Sequence, residues 1–291
     1  MPQAPRLPQR LWETVLRGAL LVLICVAPGF AAACPPDFRP FGDAGRSTKT
    51  FFRNVNGVAG RHVKWAPFGA KITLHAGYSA ETNEYGHGIL GPLTDRKTLN
   101  ITMAQEGDNN NKFSCPRGDH LPLGAVFEDV MPRFADVDQD GMPEIITVVS
   151  DANLGAQLRI YDIHGNQLAA TPHIGTRFRW LAPIGAADLD GDGHVEIAYI
   201  DRPHLARLLR IWRYRDGRLE HVADMPGLTN HRIGEDFITG GIRDCGDGPE
   251  VLVADARWRE VMAVRFDGRI QATPIGLFRN TEQVANLLAC P

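Results

Sequence analysis

The amino-acid sequence predicts an all-β protein, folded as a β-propeller of four-stranded blades. An acidic loop followed by an apolar run occurs three times, with the last Glu of each loop spaced by 52 and 54 residues, so the chain contains an internal repeat. Short runs rich in β-branched residues and Gly turns follow each loop. Downstream of residue 33, no long stretch has the apolar spacing of a helix. Four short strands in each repeat are typical of a propeller blade.

The three repeats follow one plan. The acidic loops lie at residues 136–144, 188–196 and, in a weaker copy, 244–250. After each loop comes an apolar strand, then a second strand, predicted at residues 158–163, 209–214 and 261–266. A Gly turn leads into a last strand, at residues 167–171, 218–223 and 269–275. Glycine suits these turns because it tolerates the positive φ that a tight hairpin needs.

Blade starts near residues 84, 126, 178 and 234 indicate four blades, of which the first has lost its acidic loop. Residues 284–289 are expected to begin a fifth blade, which N-terminal strands such as residues 71–75 would complete. Closure by strands from both ends of the chain would leave no exposed sheet edge. The alternative is a four-bladed or open ring with an irregular N-terminal layer.

The first two acidic loops are predicted to bind calcium. Carboxylates at positions 1, 3 and 5, with Gly at position 6, can surround one hard cation, and all-oxygen ligands favour calcium over transition metals. The ligands would be the side chains of Asp136, Asp138, Asp140, Glu144, Asp188, Asp190, Asp192 and Glu196, with the main-chain carbonyls of Met142 and His194. The third loop has Gly246 where a carboxylate is needed, so no site is expected there.

Metal-free polar turns are the alternative for these loops, although three carboxylates so close together repel one another unless a cation or protons intervene. In either case the role would be to stabilise a blade, since a saturated calcium cage is not a catalytic centre.

A binding site is predicted at the mouth of the propeller channel. Alignment of the repeats on their first Asp places Glu128, Trp180 and Asp236 at one equivalent position, where the innermost strand of each blade begins. Polar residues surround this position, and convergent polar groups with an aromatic ring favour ligand binding. The predicted site consists of His87, Glu128, Asp129, Arg179, Trp180, His231, Arg232, Glu235 and Asp236. The alternative is structural: polar residues that bond one another, and a Trp180 that packs between blades.

Residues 1–33 are typical of a secretory signal, with a basic leader, an apolar run at 19–26 and small residues at 31–33. The apolar run is too short for a membrane span, which disfavours the alternative of an uncleaved anchor. We therefore expect an exported protein, periplasmic or secreted, with no transmembrane span in the mature chain. Residues 34–60 are predicted to be an irregular N-terminal segment, and residues 61–291 the propeller.

Cysteine usage agrees with export. Cys34, Cys115, Cys245 and Cys290 remain after the leader, an even number that suits an oxidising compartment. Four cysteines allow three pairings. Closure of the ring by both chain ends would bring Cys34 and Cys290 together, so we predict that bridge. A lipid anchor on Cys34 is the alternative.

Composition excludes some classes of protein. With 44% hydrophobic and 22% charged residues, the chain is expected to fold into a globular structure. Its 31 Lys and Arg against 34 Asp and Glu leave no basic excess, so we expect no nucleic-acid partner. The G-x-S-x-G, H-E-x-x-H, G-x-x-x-x-G-K and C-x-x-C motifs do not occur.

The acidic loops and the strand order resemble the FG-GAP or VCBS repeat family, whose propellers include the head of integrin α chains. The resemblance is strongest over residues 125–278. Where the family most commonly has Asp at the ninth loop position, this chain has Glu144 and Glu196. The phrases at residues 85–91, 127–129 and 230–234 are also similar to exported bacterial proteins with such repeats, a likeness that assigns a group and no activity.

Together these observations predict an exported, calcium-stabilised propeller that binds a protein or a glycan. The alternative is a hydrolase or lyase at the channel mouth, with His87, His231, Glu128 or Asp236 as acid and base. That alternative requires a close His–carboxylate or carboxylate pair with strongly perturbed titration.

Overall fold

Antiparallel β-strands form nearly all the regular structure of the protein. The computed structural model describes residues 62–65, 72–106 and 112–290, with side chains for 74–103 and 117–290. Within these residues there are 18 strands and one helix, so the predicted all-β class is confirmed. The predicted signal, Cys34 and the 34–60 segment lie outside the described residues. In the described part of the chain, no helix is long and apolar enough to cross a bilayer.

The N-terminal strands and the first repeat share one nine-stranded sheet. The N-terminal strands are β1 (His62–Trp65), β2 (Ile72–Thr82), β3 (Asp95–Glu106) and β4 (Lys112–His120). The first repeat contains β5 (Ala125–Phe127), β6 (Arg133–Ala135), β7 (Glu144–Asp151), β8 (Gly155–Tyr161) and β9 (Gln167–Ala170). Pairing of Arg96 with Phe127 joins β3 to β5 and so makes the sheet continuous.

The second and third repeats each form a separate sheet. The second contains β10 (Leu181–Ala187), β11 (Val195–Asp201), β12 (Leu208–Arg215) and β13 (Arg218–Pro226). The third contains β14 (Leu228–Thr229), β15 (Gly241–Asp244), β16 (Pro249–Asp255), β17 (Glu260–Phe266) and β18 (Ile270–Leu277). These strands match the predicted runs to within a few residues, because β-branched runs and Gly turns fix each hairpin locally.

Burial falls from the inside of each repeat to the outside. Every residue of β10 and β11 is buried, whereas β13 and β18 are mostly exposed. Consecutive repeats pack against each other through shared hydrophobic cores. Ile146 and Leu158 of the first repeat share a core with Ile197 of the second, and Ile200 of the second shares a core with Val251 of the third.

The predicted blade near residue 84 is wrong. Residues 83–94 form a connection between β2 and β3, and Gly86 and Gly88 in it adopt left-handed φ values of 65° and 67°. Such a backbone does not continue a strand. The predicted strand at 71–75 lies in β2, where it pairs with β1 and β3 instead of completing a C-terminal blade.

The predicted fifth blade is wrong as well, because residues 284–289 belong to helix α1 (Thr281–Leu288) or its end. The side chain of Asn280 caps this helix by accepting a hydrogen bond from the backbone N of Gln283, 2.8 Å away. Val284 and Leu288 are buried in a core with Leu252, Val261 and Ala263 of the third repeat. The short apolar run therefore forms a helix that packs on the third repeat.

The predicted Cys34–Cys290 bridge is also wrong. Cys290, which follows the helix, is bonded to Cys245 in the third acidic loop, with the two Cα atoms 5.5 Å apart. Because the C-terminal segment is a helix on the third repeat, its cysteine lies beside the acidic loop of that repeat. A disulfide fits an exported protein, since such bonds persist in oxidising compartments.

Candidate functional site

The first acidic loop gathers three carboxylates around one point. Oxygen atoms of Asp136, Asp138 and Glu144 all lie within 4.8 Å of one another. The longer Glu at the ninth position reaches this group, and its Oε2 accepts a hydrogen bond from the backbone N of Val137 at 2.7 Å. Oδ1 of Asp136 is buried and has no hydrogen-bond partner in the described part of the chain. A buried oxygen without a donor is the feature that a cation would satisfy.

The charges of this loop are poorly compensated within the protein. Burial, and then the negative charge of Asp138, raise the pKa of Glu144 to about 9. Burial also raises the pKa of Asp136 to about 6, against hydrogen bonds from the loop backbone. Three carboxylates this close together, one with a buried oxygen that lacks a donor in the described part of the chain, fit a hard divalent cation with oxygen ligands. Asp140 is exposed and accepts a hydrogen bond from the backbone N of Met142 at 2.7 Å.

The second acidic loop has the same backbone plan but contains a guanidinium. Oxygens of Asp188, Asp190 and Glu196 lie within 4.8 Å of one another. Nε of Arg213 donates to Glu196 at 2.6 Å, and its two terminal nitrogens form ion pairs with Asp190 and Asp192. Both oxygens of Asp188 accept hydrogen bonds from loop backbone, at 2.8 and 3.0 Å. The carboxylates of this loop are therefore already compensated by a positive side chain.

In the third loop, the last Glu also forms ion pairs with arginines. Arg243 approaches Glu250 with two nitrogens, at 2.7 and 2.6 Å, and Arg265 lies 3.2 Å from the other oxygen. Of the residues described, those of this loop form no acidic group of the kind found in the other two. The first and second loops are neighbours, since Gln139 Nε2 donates to the carbonyl of Gly193 at 3.0 Å.

A His–carboxylate pair lies at the opposite ends of the central strands. Nδ1 of His87 is 2.5 Å from Oε1 of Glu128, and Ser150 donates to the other Glu128 oxygen at 2.5 Å. Glu128 follows β5 directly and is only 1% exposed. The ring of His87 stacks on Phe178 with centroids 5.1 Å apart. Because Ser150 bonds the carboxylate and not the imidazole, this is not the order of a Ser–His–acid triad.

A cavity of about 250 Å³ opens beside this pair, lined by residues of the 82–95 connection together with Glu128. Asp95 lies on its wall because it pairs with Thr82 at the start of β3, next to the strand that leads to Glu128. Burial, and then the charge of Glu128, raise the pKa of Asp95 to about 7. Burial also raises the pKa of Glu128, against the hydrogen bond from His87. With a pKa of about 7, the carboxyl group of Asp95 can both accept and release a proton near neutral pH.

Trp180 connects the pair to a second histidine cluster. Its Nε1 donates to the backbone carbonyl of Glu128 at 2.8 Å, and its ring meets that of His231 edge to face at 4.8 Å. Nε2 of His204 is 3.0 Å from Nδ1 of His231. Burial lowers the pKa of each of these two histidines to about 4. The structure thus brings together four of the predicted mouth residues: His87, Glu128, Trp180 and His231.

The other predicted mouth residues have different surroundings. Asp129 is buried and bound by Arg133, Tyr78 and the backbone N of Val148, all within 3.0 Å, so its contacts are those of the core. Arg232 stacks over the ring of Trp258 at 3.9 Å. Arg179, which follows Phe178 in the sequence, and Glu235 are partly exposed. Asp236 is exposed.

Sequence reasoning missed Asp95, Ser150, His204 and Arg213. Asp95 and Ser150 reach Glu128 through strand pairing, which residue spacing alone does not reveal. Arg213 could have been found, because it lies directly across from Glu196 in the β11–β12 hairpin. An Arg that pairs across the hairpin with the ninth residue of the loop indicates that a side-chain guanidinium compensates the carboxylates of that loop.

The fold and the loops define a class: an all-β protein of several antiparallel sheets with acidic loops between strands. Within that class, a family model described as an FG-GAP-like repeat matches residues 136–199. The match begins at the first Asp of the first loop and continues through the second loop into β11. The resemblance to the FG-GAP repeat is therefore confirmed for these residues. None of the curated proteins matches the chain.

Proposed function

We propose that this protein is an exported, calcium-stabilised β-propeller-like module that binds another protein. The observation that carries the proposal is the FG-GAP-like repeat whose first loop gathers three carboxylates around a buried, unpartnered oxygen of Asp136. Calcium would be held there by Asp136, Asp138 and Glu144, and it would neutralise their mutual repulsion. Export is supported by the signal-like leader and by the disulfide.

The surface that best fits a protein partner surrounds Arg232. Its guanidinium lies over Trp258, whose ring contacts Phe278 edge to face at 4.9 Å. Ile233 and Leu277, each adjacent in sequence to a member of this stack, are 70% and 67% exposed. Aromatic rings and Arg are enriched at the energetic centres of protein interfaces. Two exposed aliphatic side chains beside them favour a protein over a glycan.

Calcium is tested by thermal unfolding of the full chain in calcium and in chelator. We expect calcium to raise the melting temperature, because a ligand that binds only the folded state stabilises it. The Asp136→Asn variant should lose this shift, while Asp216→Asn, in which the replaced carboxylate is 91% exposed in the turn between β12 and β13, should keep it. An equal melting temperature with calcium and with chelator in the unmodified protein would remove calcium from the proposal.

The partner surface is tested with a photo-crosslinking amino acid in place of Ile233. We expect a defined crosslinked protein from extracytoplasmic fractions, and its loss in the Trp258→Ala background. The matched control places the crosslinker at Leu123, which is 88% exposed on another surface. The same products at both positions, or their survival in Trp258→Ala, would contradict the proposal. Binding to an array of glycans that depends on Trp258 would indicate a glycan partner instead.

One observation favours a second candidate, acid–base catalysis as a hydrolase or lyase. The close His87–Glu128 pair with a raised pKa of Glu128 is the feature that this alternative requires, and Asp95 shares the cavity beside it. Asp95, with a pKa of about 7, would transfer the proton, and His87 would hold the charge of Glu128. The test is hydrolysis of chromogenic esters and glycosides by the protein and by Asp95→Asn. No turnover, or turnover unchanged in Asp95→Asn, would count against this candidate.

A further inference from the structure

Three acidic loops with one backbone plan differ in the residue opposite their last Glu. In the second repeat, Glu196 pairs across the β11–β12 hairpin with Arg213. In the third, Arg243 pairs with Glu250 across β15 and β16, and Arg265 of β17 lies 3.2 Å from the same carboxylate. In the first, Ile145 pairs with Tyr161, and the residue that follows Tyr161 along the chain is a carboxylate, Asp162. Two loops thus face arginine and one faces a carboxylate.

The contacts follow this difference. Arg213 donates from three nitrogens to three carboxylates of its loop, a planar fork that matches carboxylate geometry. Asp162 cannot do the same. Its oxygens accept hydrogen bonds from the backbone N of His164 and from Asn166 within its own hairpin turn, at 2.7 to 2.8 Å. Among the residues that the structure describes, the first loop alone of the three has a buried carboxylate oxygen without a hydrogen-bond partner, Oδ1 of Asp136.

We propose that Arg213 is a built-in cation that takes the place of calcium in the second loop, so that the protein binds one calcium ion, in the first loop, and not two. The guanidinium and a divalent ion would share the oxygens of Asp190 and Glu196, so they exclude each other. A side-chain cation is part of the chain and cannot be removed by a chelator. The second loop is therefore metal-independent and the first is metal-dependent. The part concerning the first loop rests on the proposed function.

The test is the number of calcium ions bound by the full chain, measured by isothermal titration with CaCl₂ after chelator treatment. We expect one equivalent for the protein, none for Asp136→Asn and one for Asp190→Asn. The Arg213→Met variant, which keeps the length of the side chain and removes its charge, should bind two. Arg215→Met is the matched control on the same strand, since Arg215 is exposed and has only a 3.8 Å contact with Asp216, and it should bind one.

Two equivalents in the unmodified protein, or the same number of equivalents in Arg213→Met as in the unmodified protein, would overturn the assignment of Arg213. If Arg213→Met does not fold, Asp190→Asn decides: loss of an equivalent would show that the second loop holds calcium. No calcium in the unmodified protein but one equivalent in Arg213→Met would refute calcium in the first loop and uphold the role of Arg213. The failure of the proposed function is thereby separated from the failure of this inference.

Discussion

Removal of the Cys245–Cys290 disulfide should destabilise the protein by about 4 kcal/mol. The bond joins residues 45 positions apart, and in the chain-entropy model a loop of this length gives about 4 kcal/mol at 25 °C. A domain is usually stable by only about 5–15 kcal/mol, so the loss is a large share of the total. The bond also holds the end of the segment that carries α1 against the third repeat.

The measurement is urea unfolding, followed by tryptophan fluorescence, of the oxidised protein and of the Cys245→Ser/Cys290→Ser double variant. Peptide mapping without reduction should recover Cys245 linked to Cys290, and a Cys34→Ser variant should leave that peptide unchanged. A loss of less than about 1 kcal/mol in the double variant would refute the reasoning from loop length. A peptide that joins Cys290 to Cys34 would refute the position of α1 itself.

Three further outcomes are expected. Leu288→Ala should lower the free energy of unfolding by about 2–3 kcal/mol, because Leu288 is buried under the third repeat, whereas exposed Leu277→Ala should change it by less than about 0.5 kcal/mol in the same urea assay. The pKa of His231 is held at about 4 by burial, against about 6.5 in an unfolded chain, so the folded state binds fewer protons between these values. Stability should therefore fall by up to about 3 kcal/mol as the pH drops from 6.5 to 4, and a His231→Gln variant should lose this part of the slope in pH-dependent urea unfolding. Asp129→Asn should cost about 3–5 kcal/mol in calorimetric unfolding, because it leaves the buried guanidinium of Arg133 without its charge partner, and a variant as stable as the unmodified protein would contradict this.

The repeats could be predicted from sequence because their determinants are local. Each hairpin is fixed by a β-branched run and a Gly turn within a few residues, so the strands of the three repeats were predicted close to their observed bounds. The alignment of repeats also found Glu128 and Trp180 without knowledge of the fold. In both cases the period of the sequence carries the information.

The ends of the chain were predicted poorly for a physical reason. Residues 284–289 are apolar over fewer than two helical turns, and such a short run does not distinguish strand from helix. The deciding signal was the cap: Asn280 followed three residues later by Gln283 is a helix start. At the N-terminal side, the order β2, β3, β5 depends on pairing across distant residues, which no local pattern encodes.

Part of the candidate site could not be predicted either, because it also depends on pairing between residues that are distant in the sequence. Asp95 reaches Glu128 because β3 pairs with both β2 and β5, so residues far apart in the sequence share one cavity. The acidic loops were predicted from spacing alone, and the structure groups the first, third and ninth residues of two of them. What spacing could not reveal is the charge of the side chain across the hairpin, which differs from one repeat to the next.

Helix α1 limits where further repeats could be added to the chain. The helix covers part of the third repeat, where Val284 and Leu288 pack into a core and Cys290 forms the disulfide with Cys245. A new repeat inserted after Leu277 would have to displace helix α1 and break the Cys245–Cys290 disulfide before it could pack on the third repeat. Duplication of an internal blade meets no such obstacle, so lengthening from within is the route that this architecture leaves open.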